Sequence, residues 1–251
     1  MDSSNFDQLF EEVALTLFQD FQNSVDILSF LQRKLPTRFG IETGVLVNRK
    51  KEILANNLIF FDALNCPKLT AKSPRETTLF PANYTYGSLS YFQEINQASL
   101  ENALQQNLLF SKIFEGQKSH NEEAIKPLNI WFAKDLAPFL SLNDLEDRLL
   151  AESNPPDLVA VLNSGLLVTL NEQTIQNIFA LSQKENAQSF DKAITADLID
   201  ITQKTMQQKY FKIGATAAYK NCFYYYVFLL DLLKYQPLLA DDLSAEMVAI
   251  W

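Results

Sequence analysis

Between Asn5 and Gln22 the apolar residues Phe6, Leu9, Phe10, Val13, Leu17, Phe18 and Phe21 recur every three or four positions. That spacing predicts a helix with one broad apolar face. A second helical pattern runs through Val25, Ile27, Leu28, Phe30 and Leu31 and stops at Leu35-Pro36, because proline disfavours helical geometry in the residue before it. The period then changes. From Ile41 to Asn48 apolar and polar residues alternate and β-branched side chains are frequent, which predicts a strand. Arg49-Lys50-Lys51-Glu52 supplies a turn, and Ile53 to Phe61 returns as a more buried strand. Pro67, Ser73, Pro74 and Thr77 mark the segment from Cys66 to Phe80 as a loop.

The pattern continues with a third strand from Tyr84 to Gln93 and a helix from Ala98 to Phe114, with Leu100, Ala103, Leu104, Leu108 and Phe110 to Phe114 as its buried side. Pro127 to Ala133 reads as a strand, and Leu142 to Ala151 as a helix capped by Ser141 or Asn143. After Pro155-Pro156, a strand from Asp157 to Leu162 turns through Asn163-Ser164-Gly165 into another from Leu166 to Leu170. Residues 171–209 are polar and Gln-rich, without a clear period. Tyr219 to Tyr235 forms a strongly apolar closing helix, ended at Pro237. These elements predict an α/β protein, a mixed sheet flanked by helices. It is read as a single domain over 1–251, with its core at about 22–170 and a helical C-terminal part at about 171–251.

Composition narrows the chemistry. Hydrophobic residues make up 47% of the 251, enough for a substantial interior. The net charge of −9 weighs against a nucleic-acid backbone as partner, since that needs clustered cations. The one compact basic run, Arg49-Lys50-Lys51, reads as a solvated turn. Cys66 and Cys222 lack C-x-x-C spacing and fit a reducing cytoplasm. The N-terminus lacks a secretory layout, and the apolar run from Cys222 to Leu230 is too short to span a bilayer. His120, the only histidine, lies in a polar stretch. Multi-histidine zinc sites and histidine-activated nucleophiles therefore have little to build on. The aromatic run from Cys222 to Phe228 could stack bases, but without a basic groove it reads as a buried helix. Glu122-Glu123 and Asp241-Asp242 read as solvated acidic surface. Ala245 to Trp251 is apolar for a tail and is expected to fold back or to dock on another subunit.

The order helix, paired strands, third strand, helix is that of a restriction-endonuclease-like core. Leu35-Pro36-Thr37-Arg38-Phe39-Gly40 through Gly44, Leu58-Ile59-Phe60-Phe61-Asp62-Ala63-Leu64-Asn65-Cys66-Pro67, Phe80-Pro81-Ala82 and Leu100-Glu101-Asn102-Ala103-Leu104 carry a resemblance. Pro156 to Leu162 and Gly165-Leu166 extend it. On these motifs the chain resembles a bacterial family of unknown function with a PD-(D/E)XK nuclease-type pattern. That pattern implies an Asp five residues before Asp62, a Glu-x-Lys on the third strand and a Glu on the helix before Leu35. Here those places hold Asn57, Ser90 with Phe92, and Ser24-Val25, with Asp26 adjacent.

A hydrolytic Mg²⁺ is normally anchored by one or two carboxylates, and it contributes several kcal/mol by polarising phosphate and preparing hydroxide. An amide, a hydroxyl and a phenyl ring at these positions remove two negative charges and the ammonium. The resemblance therefore implies a degenerate copy, a pseudoenzyme with no catalytic residues, no metal and no cofactor. Its expected role is a protein-interaction or regulatory subunit in a bacterial antiviral defence or toxin–antidote system, partnered by another protein or by its own copies, and not by a membrane. Two alternatives stand beside it. One is an active nuclease that keeps Mg²⁺ through relocated ligands, with Glu42 and Glu94 around Asn57, or Asp62 or Asp26 in support. The other is an acidic nucleic-acid mimic. Asp62 itself is expected to form a turn by bonding local backbone N–H groups.

Overall fold

The structure is a computed structural model that describes residues 3–48, 50, 52–71, 77–115, 127–169, 210–214, 217–234 and 236. Helix α1 (Ser3–Gln22) leads into α2 (Ile27–Lys34). The Asp26 carboxylate caps α2 by accepting the Ser29 N–H at 2.7 Å, and Leu35 leaves the helix in extended geometry ahead of Pro36. Strands β1 (Phe39–Val47) and β2 (Ile53–Asp62) pair antiparallel, and β5 (Thr85–Ile95) pairs antiparallel with β2. Helix α3 (Gln97–Phe114) connects β5 to the parallel β6 (Leu128–Leu136). A second connection through α4 (Leu142–Leu150) leads to β7 (Leu158–Val161), parallel to β6. Both helices start with capping boxes, Asn96 with Ser99 and Ser141 with Asp144.

Three short strands depart from the sequence expectation. Residues 66–80, read as a loop, contain β3 (Leu69–Ala71) and most of β4 (Thr77–Pro81). Strand β4 runs parallel to β1 from Val45↔Leu79 to Val47↔Pro81, and β3 closes that edge. Pro67 precedes β3 and Pro81 ends β4, which are positions at a sheet margin that tolerate a missing N–H. The part after residue 170, read as helical, contributes β9 (Phe211–Ile213), which pairs with β8 (Gly165–Val168). The resulting nine-stranded sheet has the order β3-β4-β1-β2-β5-β6-β7-β8-β9.

Helices cover both faces. On one, α1, α2 and the closing helix α5 (Ala218–Lys234) pack over Phe30, Phe60, Phe132, Leu158 and Tyr225. On the other, α3 and α4 pack over Trp131 and Val159, and Phe110, Ile113 and Phe114 of α3 over Ile59 and Phe80. The architecture is thus α/β, a mixed sheet flanked by helices. The aromatic run is a buried closing helix: Cys222, Tyr225 and Leu229 are in the core, and Phe223 meets Phe10 of α1 edge-on at 4.7 Å. Gly165 takes φ +128°, and a Cβ there would lie 2.2 Å from the Ile213 carbonyl, so the β7–β8 turn needs glycine twice over. No described helix is long and apolar enough to cross a membrane. Arg49, Lys51, His120, Glu122-Glu123, residues 171–209, Pro237, Asp241-Asp242 and Ala245 to Trp251 lie outside the described residues.

Candidate functional site

Strand β5 sets the geometry, because successive side chains on it point to opposite faces. Phe92, half-buried, packs edge-on against the buried Trp131, 5.8 Å between ring centroids, at the margin of the core under α3 and α4. The pairing with β6 is regular from Gly87↔Leu128 to Ile95↔Leu136, so Ser90 shares that face with Phe92. Tyr91 projects to the other face and lies flat on Phe132, 6.2 Å away at 18°. Asn57 pairs with Gly44 in the backbone of β1 and β2. The β2–β5 ladder reaches Leu58↔Leu89, so Asn57 and Ser90 are the next residues along their strands. The structure therefore brings the backbones of Asn57 and Ser90 side by side. It sends Phe92 into an apolar layer on the face away from α2.

That last point separates Ser90 and Phe92 from the helix end that the family pattern would add to them. Ser24, Val25 and Asp26 lie on the opposite face, where they border a cleft of about 510 Å³ between the α1–α2 connection and the ends of β5 and β6. Tyr91, Gln93, Phe132 and Lys134 form its strand side, and Phe18 and Phe21 its helix side. Sequence reasoning did not single out Tyr91, Gln93 or Lys134. A signal was available: the alternation along β5 puts Tyr91 and Gln93 together and apart from Phe92, but which pair faces α2 depends on strand pairing.

The fallback carboxylates do not converge. Glu42 pairs in register with Ile59, which pairs with Ser88, and Glu94 lies six positions further along β5, roughly 20 Å away at the rise of a strand. Glu42 is instead bonded to Lys68 at 2.7 Å. Asp26 lies on the other face and Asp62 at the end of β2. Asp62 is buried and accepts the Leu64 N–H at 2.9 Å, the Asn65 N–H at 3.2 Å and the Asn65 side-chain amide at 3.0 Å. It holds the turn, as its sequence context predicts. Glu94 has a different neighbour, since it is opposite Asp135 in the β5–β6 register, and Asn163 donates to Asp135. No cluster of three or more His, Cys, Asp or Glu groups suited to a metal ion occurs among the described residues.

Electrostatics in the cleft are modest. The Ser29 N–H, then its hydroxyl, holds the Asp26 carboxyl below its ordinary value of 3.8, so Asp26 is ionised near neutrality. Burial raises the Tyr91 phenol, and the charge of Asp26 raises it further. Elsewhere burial pushes the thiols of Cys66 and Cys222 up to about 12. Both are protonated at neutral pH and poor nucleophiles.

No family model matches the sequence, and no curated protein matches it. Solved structures do. The apo form of NucC from E. coli MS115-1 superposes with a TM-score of 0.65 at 12% identity, covering 97% of this chain and 96% of that one. The cAAA-bound form of NucC from P. aeruginosa ATCC27853 gives 0.60 at 13% identity, covering 100% and 96%. The cAAA-bound E. coli form gives the same values. The likeness is one of fold. It extends over nearly the whole of each chain, including the parts outside the family-like motifs.

Proposed function

We propose that this chain is a nuclease-type scaffold that does not cleave and serves as a protein-interaction or regulatory subunit in the bacterial cytoplasm. The observation that carries the reading is Phe92. At the place where the family pattern calls for a lysine, a phenyl ring is packed on Trp131 in the core. The remainder of the third strand points the same way. Leu89, Tyr91 and Gln93 alternate with Ser88, Ser90 and Phe92, so neither face receives a carboxylate or an ammonium before Glu94. The second strand has asparagine at both 56 and 57, so a one-residue change of alignment supplies no acid there. A setting in antiviral defence or a toxin–antidote pair is proposed by analogy with the nuclease-like family and with NucC.

One observation favours a second reading. Glu94 and Asp135 are opposed on neighbouring strands, and a pair of carboxylates is the minimum from which a Mg²⁺ site could be rebuilt. The two readings part in a cleavage assay. Incubated with supercoiled plasmid, linear duplex or RNA in Mg²⁺ or Mn²⁺, alone and with any protein that co-purifies from its host, the chain is expected to leave every substrate intact. Metal-dependent cutting that disappears in Asp135→Asn would establish the second reading and end the first.

A further inference from the structure

A non-cleaving subunit leaves the cleft beside α2 without a use, yet its lining is specific. Phe21 meets the Phe132 ring edge-on at 5.5 Å, while Tyr91 lies flat on it. Tyr91 remains 39% exposed, so part of its ring is open to whatever enters. At the mouth stands Asp26, an ionised carboxylate whose bonds are to Ser29 of its own helix. Asp26 and Tyr91 both line the cleft. Val25, beside Asp26, is 95% exposed and makes an apolar lip. Among the described residues of the lining Lys134 is the one cation. It is exposed and lies two residues beyond Phe132, toward the outer end of β6.

We infer that this cleft receives an arginine side chain from a protein partner, with the guanidinium stacked on Tyr91 and directed at Asp26. Aromatic rings attract cations through their negative faces. The flat, weakly hydrated guanidinium stacks and forks its five N–H groups as an ammonium cannot. Gln22, Gln93 and Asn163 also line the cleft, and Gln93 donates its side-chain amide N–H to the Tyr91 hydroxyl at 2.9 Å, an amide whose oxygen is an acceptor. An apolar residue next to the arginine would cover Val25, and a net charge of −9 draws basic surfaces toward the chain. Lys134 opposes a cation, and that opposition makes the assignment testable by sign.

The inference rests on the protein-interaction reading above, but its first test uses the chain alone. N-acetyl-arginine methylamide is titrated while the Tyr91 ring resonances are followed by NMR, with the lysine analogue and AMP as separate arms. The arginine compound is expected to shift the Tyr91 signals saturably at millimolar concentration, ahead of the lysine compound, and AMP to leave them in place. Asp26→Asn keeps a good helix cap and is expected to weaken binding by roughly fivefold, while Lys134→Gln strengthens it about twofold, the changes expected from removing one attractive and one repulsive charge. No shift with the arginine compound, equal response to lysine, or AMP binding that Lys134→Gln weakens would each overturn the assignment. A partner that co-purifies equally with wild type and Asp26→Asn would also overturn it while leaving the subunit reading intact. Cleavage of nucleic acid would remove the subunit reading whatever the titration gives.

Discussion

At position 92 the side chain serves packing, and a lysine introduced there would have to leave its ammonium against Trp131 or pull it out past the sheet. Phe92→Lys is therefore expected to destabilise the protein by about 1–2 kcal/mol, mainly from the lost aromatic contact with Trp131. Urea unfolding measures it, and an unchanged midpoint would mean that the Phe92–Trp131 contact contributes nothing to stability. The caps give a pH dependence of definite sign. Asp26 is held below 3.8 by the Ser29 backbone N–H, and Asp144 by its bond from the Ser141 hydroxyl. A folded-state pKa below the unfolded one contributes stability above the unfolded value and loses it as pH falls through the folded value. The urea midpoint is accordingly expected to drop below pH 3.8, and to drop less in Asp26→Asn, whose amide caps without titrating.

Among the elements, the β5–β6 contact is the one on which the site depends. A Cβ at Gly87 would lie 2.2 Å from the Leu128 carbonyl oxygen, a backbone atom that cannot swing aside. Gly87→Ala is expected to cost about 2–3 kcal/mol and to loosen amide-exchange protection along β6, while a neutral result would contradict the close strand approach. The sequence was informative where elements are long. The amphipathic helices, the Pro36 stop, the Asn163-Ser164-Gly165 turn and the Asp62 turn are each written in local chemistry. Strands β3, β4 and β9 were not legible, because runs of three to five residues acquire order from the strand they pair with. The cleft was illegible for the same reason. Tyr91 and Lys134 are neighbours only through the β5–β6 register, and Phe18, Phe21 and Asp26 reach them only once α1 and α2 cover that face.

For the whole molecule, the fold is shared with NucC over nearly the whole chain, while among the described residues the carboxylates that could hold a hydrolytic cation are scattered. Glu42 is tied to Lys68, Asp62 to its turn and Asp26 to its helix. Among the described residues, Glu94 and Asp135 are the carboxylates that share a register position. An aqueous Mn²⁺ titration followed by electron paramagnetic resonance therefore addresses the central claim directly, because bound Mn²⁺ leaves the sharp six-line spectrum of the free ion. The expected result is a free-ion signal that rises in proportion to added Mn²⁺, with no saturable loss at micromolar concentrations. A stoichiometric loss of signal that Mg²⁺ reverses and that Glu94→Ala or Asp135→Asn abolishes would contradict it.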